Sequence, residues 1–184
     1  MEGIRLHPES VAVASGRPER RSHAPLNPPI VLSAMFHHGS GDNPYLRDSG
    51  SETTQAFETA IGALEGGTAL AYSSGMAAIN AVLDDLPTGS VVVAPVACYN
   101  GASLAFDAQE RLGRLVVRRV DVTATEDVIA ALPGAALLWL ESPTNPLMGI
   151  VDTPVVTAAA HAASTVVCLD STFTTPLLFR PLEH

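Results

Sequence analysis

The stretch ALLWLESPTNP, residues 136–146, decides the fold. It begins with a short apolar run that is typical of a strand buried on both faces, and it ends in polar residues. Similar runs lie at 91–96 (VVVAPV), 115–120 (LVVRRV) and 165–169 (TVVCL). Helical patterns separate these runs at 76–86, 101–112, 125–132 and 153–163. The alternation predicts an α/β fold with a mainly parallel sheet and helices on both faces.

The N-terminal part has a different composition. Residues 1–52 are rich in Pro, Gly, Ser and Arg and lack periodicity, apart from a short apolar run at Pro29–Ala34. We predict an extended arm there, which gains order by packing on another surface, and an α/β domain over residues 53–184. A helix is expected to begin at the capping residues Ser51–Thr54 and to stop at Gly66-Gly67.

Composition excludes several classes of partner. The chain has a net charge of −9 and no basic run longer than a pair, so neither nucleic acid nor a membrane is an expected partner. The N-terminus carries charges and no apolar stretch of signal-peptide length, which predicts a cytoplasmic protein. Cys98 and Cys168 lack the spacing of metal ligands, so we expect reduced core cysteines and no metal site.

Lysine is absent from the sequence. All ten residues of the Lys+Arg count are arginines, although lysine is common in ordinary domains. A GC-rich coding bias that favours Arg and Ala is the simplest cause. Whatever the cause, no side chain of residues 1–184 can form the imine that lysine forms.

Polar and aromatic residues follow the predicted strands, where ligands bind in parallel sheets. Tyr99 follows the first strand, Asn145 the third and Asp170 the fourth. Residues 72–76 (YSSGM) open a helix, whose free N–H groups could bind an anion. Each feature also has a purely structural explanation, as a cap, a tight turn or an aromatic lid. Taken together with a Tyr-x-Arg pair in the arm, they describe a site for a flat phosphorylated heteroaromatic such as pyridoxal phosphate.

Longer segments carry a family resemblance. They are NPPIVLSAMF, YLR, ALEGGTALAYSSGMAAINAVL, ESPTNPLMGIVDT and LDSTFTTPLL. In this order they resemble the Cys/Met-metabolism family of pyridoxal-phosphate enzymes, which includes cystathionine γ-synthase, cystathionine lyases and methionine γ-lyase. The likeness runs from about residue 11 to His184 and corresponds to about the first half of a family member. It implies an N-terminal arm and part of a fold-type I PLP-transferase large domain.

The resemblance implies a role for each matching residue. The phosphate would be bound by backbone N–H groups of Gly75 and Met76 and, across a subunit interface, by Tyr45 and Arg47. Tyr99 would stack on the pyridine ring and join in proton transfer. The ring itself would meet the remaining residues: Asn145 at the phenolic oxygen, Asp170 at the ring nitrogen and Thr172 at the ring face. Tyr99 and Asp170 are the catalytic candidates.

Some positions depart from the family pattern. Gly50-Ser51-Glu52 stands where the family has Asn-Pro-Thr, and Tyr99-Asn100-Gly101-Ala102 replaces Tyr-Gly-Gly-Thr. Ser171 replaces the asparagine after Asp170. The family also carries a Schiff-base lysine in a Ser-x-Thr-Lys stretch and an arginine for the substrate carboxylate in a C-terminal domain. Residues 1–184 lack both stretches and could by themselves bind the cofactor only noncovalently.

The expected function follows from this pattern. We expect a subunit of a split PLP-dependent lyase or transferase that acts on a small amino-acid substrate by β/γ-elimination or γ-replacement. A complementary C-terminal-half polypeptide would supply the lysine within a hetero-oligomer, a heterotetramer or larger. The alternatives are a non-catalytic protein that binds pyridoxal phosphate or a partner, a piece of a full enzyme, and another α/β module that binds a phosphorylated ligand.

Overall fold

The computed structural model describes residues 6–37, 45–46 and 50–184. The chain divides into two compact units, Met1–Ala71 and Tyr72–His184. The first unit contains helices α1 (Pro8–Ala14) and α2 (Glu52–Glu65). The second contains α3 (Gly75–Asp84), β1 (Ser90–Pro95), α4 (Asn100–Arg111), β2 (Leu115–Val120), α5 (Thr125–Ala131), β3 (Leu137–Glu141), α6 (Thr153–Ala162), β4 (Val166–Asp170), α7 (Thr175–Leu178) and a 3-10 turn (Pro181–Glu183).

Helix α2 begins and ends where the sequence predicts. The Ser51 hydroxyl accepts a hydrogen bond from the Thr54 backbone N–H at 3.2 Å, and Gly66 ends the helix with a left-handed φ of 84°. Thr53 also holds the segment before it, because its hydroxyl donates to the Pro29 carbonyl at 2.9 Å and accepts from the Val31 N–H at 3.0 Å.

Helix α1 lies within the segment predicted to be extended, so that prediction is wrong for residues 8–14. Pro8 occupies the first turn, where no N–H is needed, and Glu9 lies near the positive end of the helix. The helix packs against α2. At Gly16, φ is +72° and a Cβ would lie 2.2 Å from the Ala56 carbonyl oxygen, so only glycine fits. The division at residue 52 stays a prediction.

The sheet confirms the predicted parallel arrangement. Its strand order is β2-β1-β3-β4, and every neighbouring pair is parallel. β3 lies between β1 and β4, with Leu138 in register with Val93 on one side and Val167 on the other. β2 lies on one side of β1, and β3, the next strand along the chain, lies on the other side of β1. A crevice therefore opens beyond the carboxyl ends of β1 and β3, where α/β sheets bind ligands.

Alternate strand residues pack into separate apolar clusters on the two faces. Val92 and Trp139 face a cluster with residues of α3 and α4, whereas Val93 and Leu140 face a cluster with residues of α5 and α6. All five residues of β3 are buried. This pattern confirms helices on both faces and explains why β1 and β3 are apolar runs. The edge strands β2 and β4 are only partly buried, so the prediction of burial on both faces is wrong for them.

In the described residues, no helix is long and apolar enough to cross a membrane.

The first testable prediction concerns the cluster on the α4 face. Phe106 is fully buried, and its ring meets the Trp139 ring edge-on at 5.6 Å between centroids. Phe106→Ala should lower the free energy of unfolding by about 3–5 kcal/mol, because it leaves a cavity. Urea unfolding followed by fluorescence of Trp139, the one tryptophan of the sequence, measures the change.

Leu104 provides a matched control on the same helix. Its side chain is 59% exposed, so Leu104→Ala should change the free energy of unfolding by no more than about 0.5 kcal/mol. Equal losses in the two variants would contradict the assigned packing of α4.

Candidate active site at the carboxyl end of the sheet

Glu141 connects the sequence-predicted residues of the second unit. It is the last residue of β3 and is 4% exposed. Its Oε2 accepts the Tyr99 backbone N–H at 2.7 Å, and its Oε1 accepts the Asn145 backbone N–H at 2.6 Å. Glu141 is also in register with Asp170 on β4. The structure thus brings Tyr99, Asn145 and Asp170 to one edge of the sheet.

The loop that carries Asn145 is closed by its own hydrogen bonds. The Thr144 N–H donates to the Gly149 carbonyl at 2.9 Å, and the Thr144 hydroxyl accepts the Gly149 N–H at 2.9 Å. The Ser142 hydroxyl accepts the Val151 N–H at 3.2 Å. Ser142 and Thr144 are buried, whereas Asn145 is half-buried. The loop therefore presents the Asn145 side chain from a fixed backbone.

Tyr99 and the start of α3 meet at Gly101. A Cβ at Gly101 would lie 2.6 Å from the Met76 sulfur and 2.6 Å from Cε1 of the Tyr99 ring, so both side chains use the space that glycine leaves. The Tyr99 residue is 41% exposed. An aromatic face is therefore available beside the first turn of α3.

The N-terminus of α3 is open. The Ser74 hydroxyl caps the helix by accepting the Ala77 N–H at 3.1 Å, and the first N–H groups of a helix have no acceptor within the helix. A Cβ placed on Gly75 would meet nothing within 4 Å. This end combines free donors, the positive end of the helix dipole and room for an anion such as a phosphate.

Asp170 is oriented by the turn that follows β4. Its Oδ1 accepts the Thr172 N–H at 3.0 Å and the Thr172 hydroxyl at 2.5 Å. Within the described part of the chain, no donor reaches Oδ2. Thr172 thus positions the carboxylate, a role that sequence reasoning did not give it, and its predicted contact with the ring face stays a prediction.

Burial and hydrogen bonding act in opposite directions on Glu141. Burial raises the pKa of its carboxyl group above the ordinary 4.5, the N–H groups of Tyr99 and Asn145 lower it, and the charge of Asp170 raises it. The pKa is raised on balance. The two backbone donors therefore offset part of the cost of burying this charge.

The arm residues of the prediction lie in the first unit. Tyr45 forms an antiparallel bridge with Met35 and is 39% exposed. Arg47 lies outside the described residues. Their predicted contacts with a phosphate stay predictions.

Sequence reasoning missed Glu141 as a functional residue. The signal was present, because a carboxylate at the end of a fully buried strand needs hydrogen-bond partners. The sequence cannot show which partners they are. Here they are the backbones of two candidate site residues that lie 46 positions apart in the chain, at Tyr99 and Asn145.

The second unit's groups fit pyridoxal phosphate. An open helix N-terminus suits the phosphate, the exposed Tyr99 ring offers a stacking face, and the Asn145 amide is a donor for an anionic oxygen. Asp170 adds an acceptor oxygen that no described group uses, which suits a protonated ring nitrogen.

Comparisons with known proteins agree with this geometry. The sequence matches the family model of Cys/Met metabolism PLP-dependent enzymes over residues 9–184. It is 39% identical over 181 residues to a candidate cystathionine gamma-lyase of Streptomyces coelicolor, covering 94% of this chain and 45% of that protein. It is 33% identical over 179 residues to cystathionine gamma-synthase of Escherichia coli, covering 94% of this chain and 46% of that protein.

A solved structure agrees as well. Cystathionine gamma synthase from Xanthomonas oryzae pv. oryzae, crystallised with cystathionine, is 32% identical and superposes with a TM-score of 0.89 over 98% of this chain and 48% of its own. The similarity confirms the fold implied by the resemblance. The chain spans about half the length of the relatives it matches.

The cysteines beside the site give a testable prediction. Burial, with a smaller contribution from the Glu141 charge, raises the pKa of the Cys98 thiol from 9.0 to about 11, and burial raises that of Cys168 to about 12. At pH 8 the thiolate fraction of Cys98 then falls roughly 100-fold. In a Cys168→Ser variant, an aromatic disulfide reagent should label folded Cys98 about 100-fold more slowly than the urea-unfolded chain. Equal rates would contradict the burial of this thiol.

Proposed function

The chain belongs to the Cys/Met metabolism family of PLP-dependent enzymes, and we propose that it supplies most of the cofactor site of a cytoplasmic lyase or transferase. The reaction is β- or γ-elimination from an amino acid, or replacement at its γ-carbon. The observation that carries the proposal is the convergence of Tyr99, Asn145 and Asp170 through Glu141. Cystathionine, the ligand of the Xanthomonas relative, represents the substrate class.

Each residue has a defined task in this proposal. Gly75 and Met76 donate backbone N–H groups to the phosphate, and Tyr45 and Arg47 approach it from a neighbouring subunit. Tyr99 stacks on the ring face, and its hydroxyl moves a proton. Asn145 donates to the phenolic oxygen.

Asp170 has the central electrostatic task. Bound pyridoxal phosphate supplies a sink for the electron pair left when the α-proton departs. Asp170 keeps the ring nitrogen protonated by pairing with it through Oδ2, while Thr172 holds Oδ1. The neighbouring Glu141 charge favours a cation at this position.

We place the lysine that moves the α-proton on a complementary polypeptide, which joins this chain in a hetero-oligomer. Residues 1–184 contain no lysine. Two surface features support a protein partner. β4 is an edge strand with Val166 64% exposed, and apolar side chains after β4 are exposed, including Phe173 (51%) and Leu178 (80%).

Co-expression tests the arrangement. The chain should co-purify with a polypeptide that carries the Ser-x-Thr-Lys stretch, and the complex should gain the absorbance at about 420 nm that pyridoxal phosphate acquires on bonding to lysine. The same complex should release a 2-oxo acid from an amino acid of the cystathionine class if it catalyses elimination, or form a new amino acid with an added thiol at the γ-carbon if it catalyses replacement. A stable, colourless chain that takes no partner would contradict the proposal, and cofactor binding without turnover in the complex would favour the non-catalytic alternative.

A charge-only substitution tests Asp170. Asp170→Asn keeps an acceptor for Thr172 but removes the negative charge, so turnover by the complex should fall roughly 100-fold or more. Steady-state kinetics on the assembled complex measure the loss.

Asp121 is the matched control. It follows β2, and its Oδ1 accepts the Thr123 N–H at 2.9 Å and hydroxyl at 2.7 Å, which repeats the Asp170–Thr172 turn at another strand. Asp121→Asn should leave turnover unchanged. Equal losses in both variants, or normal turnover in Asp170→Asn, would refute the assigned role.

A further inference from the structure

The Glu141 carboxylate bonds to two segments that follow different strands. Tyr99 lies at the start of α4, after β1, and Asn145 lies in the loop after β3. Both oxygens of one side chain accept, at 2.7 and 2.6 Å. The side chain is 4% exposed, so water does not compete at these bonds. One rigid, planar group thus fixes the distance between the backbones of two residues that would contact the same ring.

Among the described residues, Glu141 is the side chain that binds the backbone at the start of helix α4. Tyr99 is the residue before the helix, with φ −48° and ψ 127°, and it makes no side-chain capping bond. The Glu141 oxygen is the acceptor for its N–H. On the other side, the loop around Asn145 is closed by its own bonds but is tied toward β1 by this same carboxylate. The carboxylate therefore couples one rigid loop to one helix start.

This step rests on the proposed function, in which Tyr99 and Asn145 contact the same cofactor ring. Tyr99 would lie on the face of the pyridine ring and Asn145 at its edge, so an error in their relative position reduces both contacts at once. We infer that Glu141 is a positioning residue, which sets the Tyr99 ring and the Asn145 amide at the separation that the cofactor ring requires.

Only a glutamate performs this task at position 141. Glutamine has one acceptor oxygen and turns an NH2 donor toward the other backbone N–H, which leaves one amide without a partner. Aspartate keeps the charge but is one methylene shorter and does not span both amides. The two variants thus separate the span of the side chain from its charge.

The first readout needs no cofactor. NMR can follow amide hydrogen exchange of Tyr99 and Asn145 in the full chain. In Glu141→Gln the exchange rates of both amides should rise at least about tenfold. One amide loses its charge-assisted hydrogen bond, and the hydrogen bond of the other amide becomes weaker. Glu110→Gln is the matched control: Glu110 also accepts a backbone N–H, from Val117 at 3.3 Å, but on the exposed face of α4. Unchanged exchange at both amides in Glu141→Gln would overturn the inference.

The second readout measures cofactor affinity. Quenching of Trp139 fluorescence by added pyridoxal phosphate reports binding to folded chains, because Trp139 lies two residues before Glu141 in β3. Glu141→Gln and Glu141→Asp should each weaken binding about tenfold or more, and Glu110→Gln should bind as wild type does. A role in stability alone would lower the urea midpoint of the Glu141 variants without changing the affinity of the folded molecules, and that result would overturn the inference.

The outcomes separate this inference from the proposed function. If neither the wild-type chain nor its complex with the lysine-bearing polypeptide binds pyridoxal phosphate, the proposed function is refuted, and amide exchange in the full chain decides the coupling by Glu141. If wild type binds and Glu141→Asp binds equally well, then charge rather than span is what matters, and the positioning role is refuted.

Discussion

The burial of β3 between two helical layers is the constraint on which the rest of the second unit depends. Every residue of Leu137–Glu141 is buried, and the strand pairs in parallel with β1 and β4. If the register of such a strand shifted by one residue, every side chain would move to the opposite face of the sheet. The apolar side chains that pack against one helical layer would then face the other layer. The strand must therefore end at a fixed point, and Glu141 occupies that point.

This fixed end explains why the site forms around a buried charge. Glu141 cannot turn to solvent, so it takes the backbone N–H groups within its reach, which belong to Tyr99 and Asn145. The arginines of the neighbouring elements are engaged elsewhere: Arg118 donates to the Ala131 carbonyl at 2.7 Å, and Arg119 pairs with Asp107 at 2.5 Å. Among the described residues, no arginine pairs with Glu141 or Asp170.

Much of this architecture could be predicted from the sequence, because short runs rich in Val and Leu alternate with helical patterns, and the central strand β3, buried on both faces, must be apolar along most of its length. The run at 115–120 coincides with β2, and the run at 136–140 is displaced from β3 by one residue. Helix α1 was missed because Pro8 and Glu9 are weak signals in a segment without apolar periodicity. Glu141, and the contact of Thr172 with Asp170, were missed for a different reason: these partners are set by the parallel register and by a local turn, which composition does not encode.

The two adjacent carboxylates, Glu141 and Asp170, differ in how many of their oxygens accept hydrogen bonds from the protein, and this difference separates their tasks. Glu141 uses both oxygens on backbone donors of its own chain and is 4% exposed, so its carboxylate faces the protein interior. Asp170 uses only Oδ1, on Thr172, and in the described residues its Oδ2 has no donor. A cation bound at Oδ2 contacts the Asp170 carboxylate directly and lies near the charge of Glu141, which is in register with Asp170 on the neighbouring strand. A protonated heteroaromatic nitrogen meets this requirement, since its single N–H donor matches a single free acceptor.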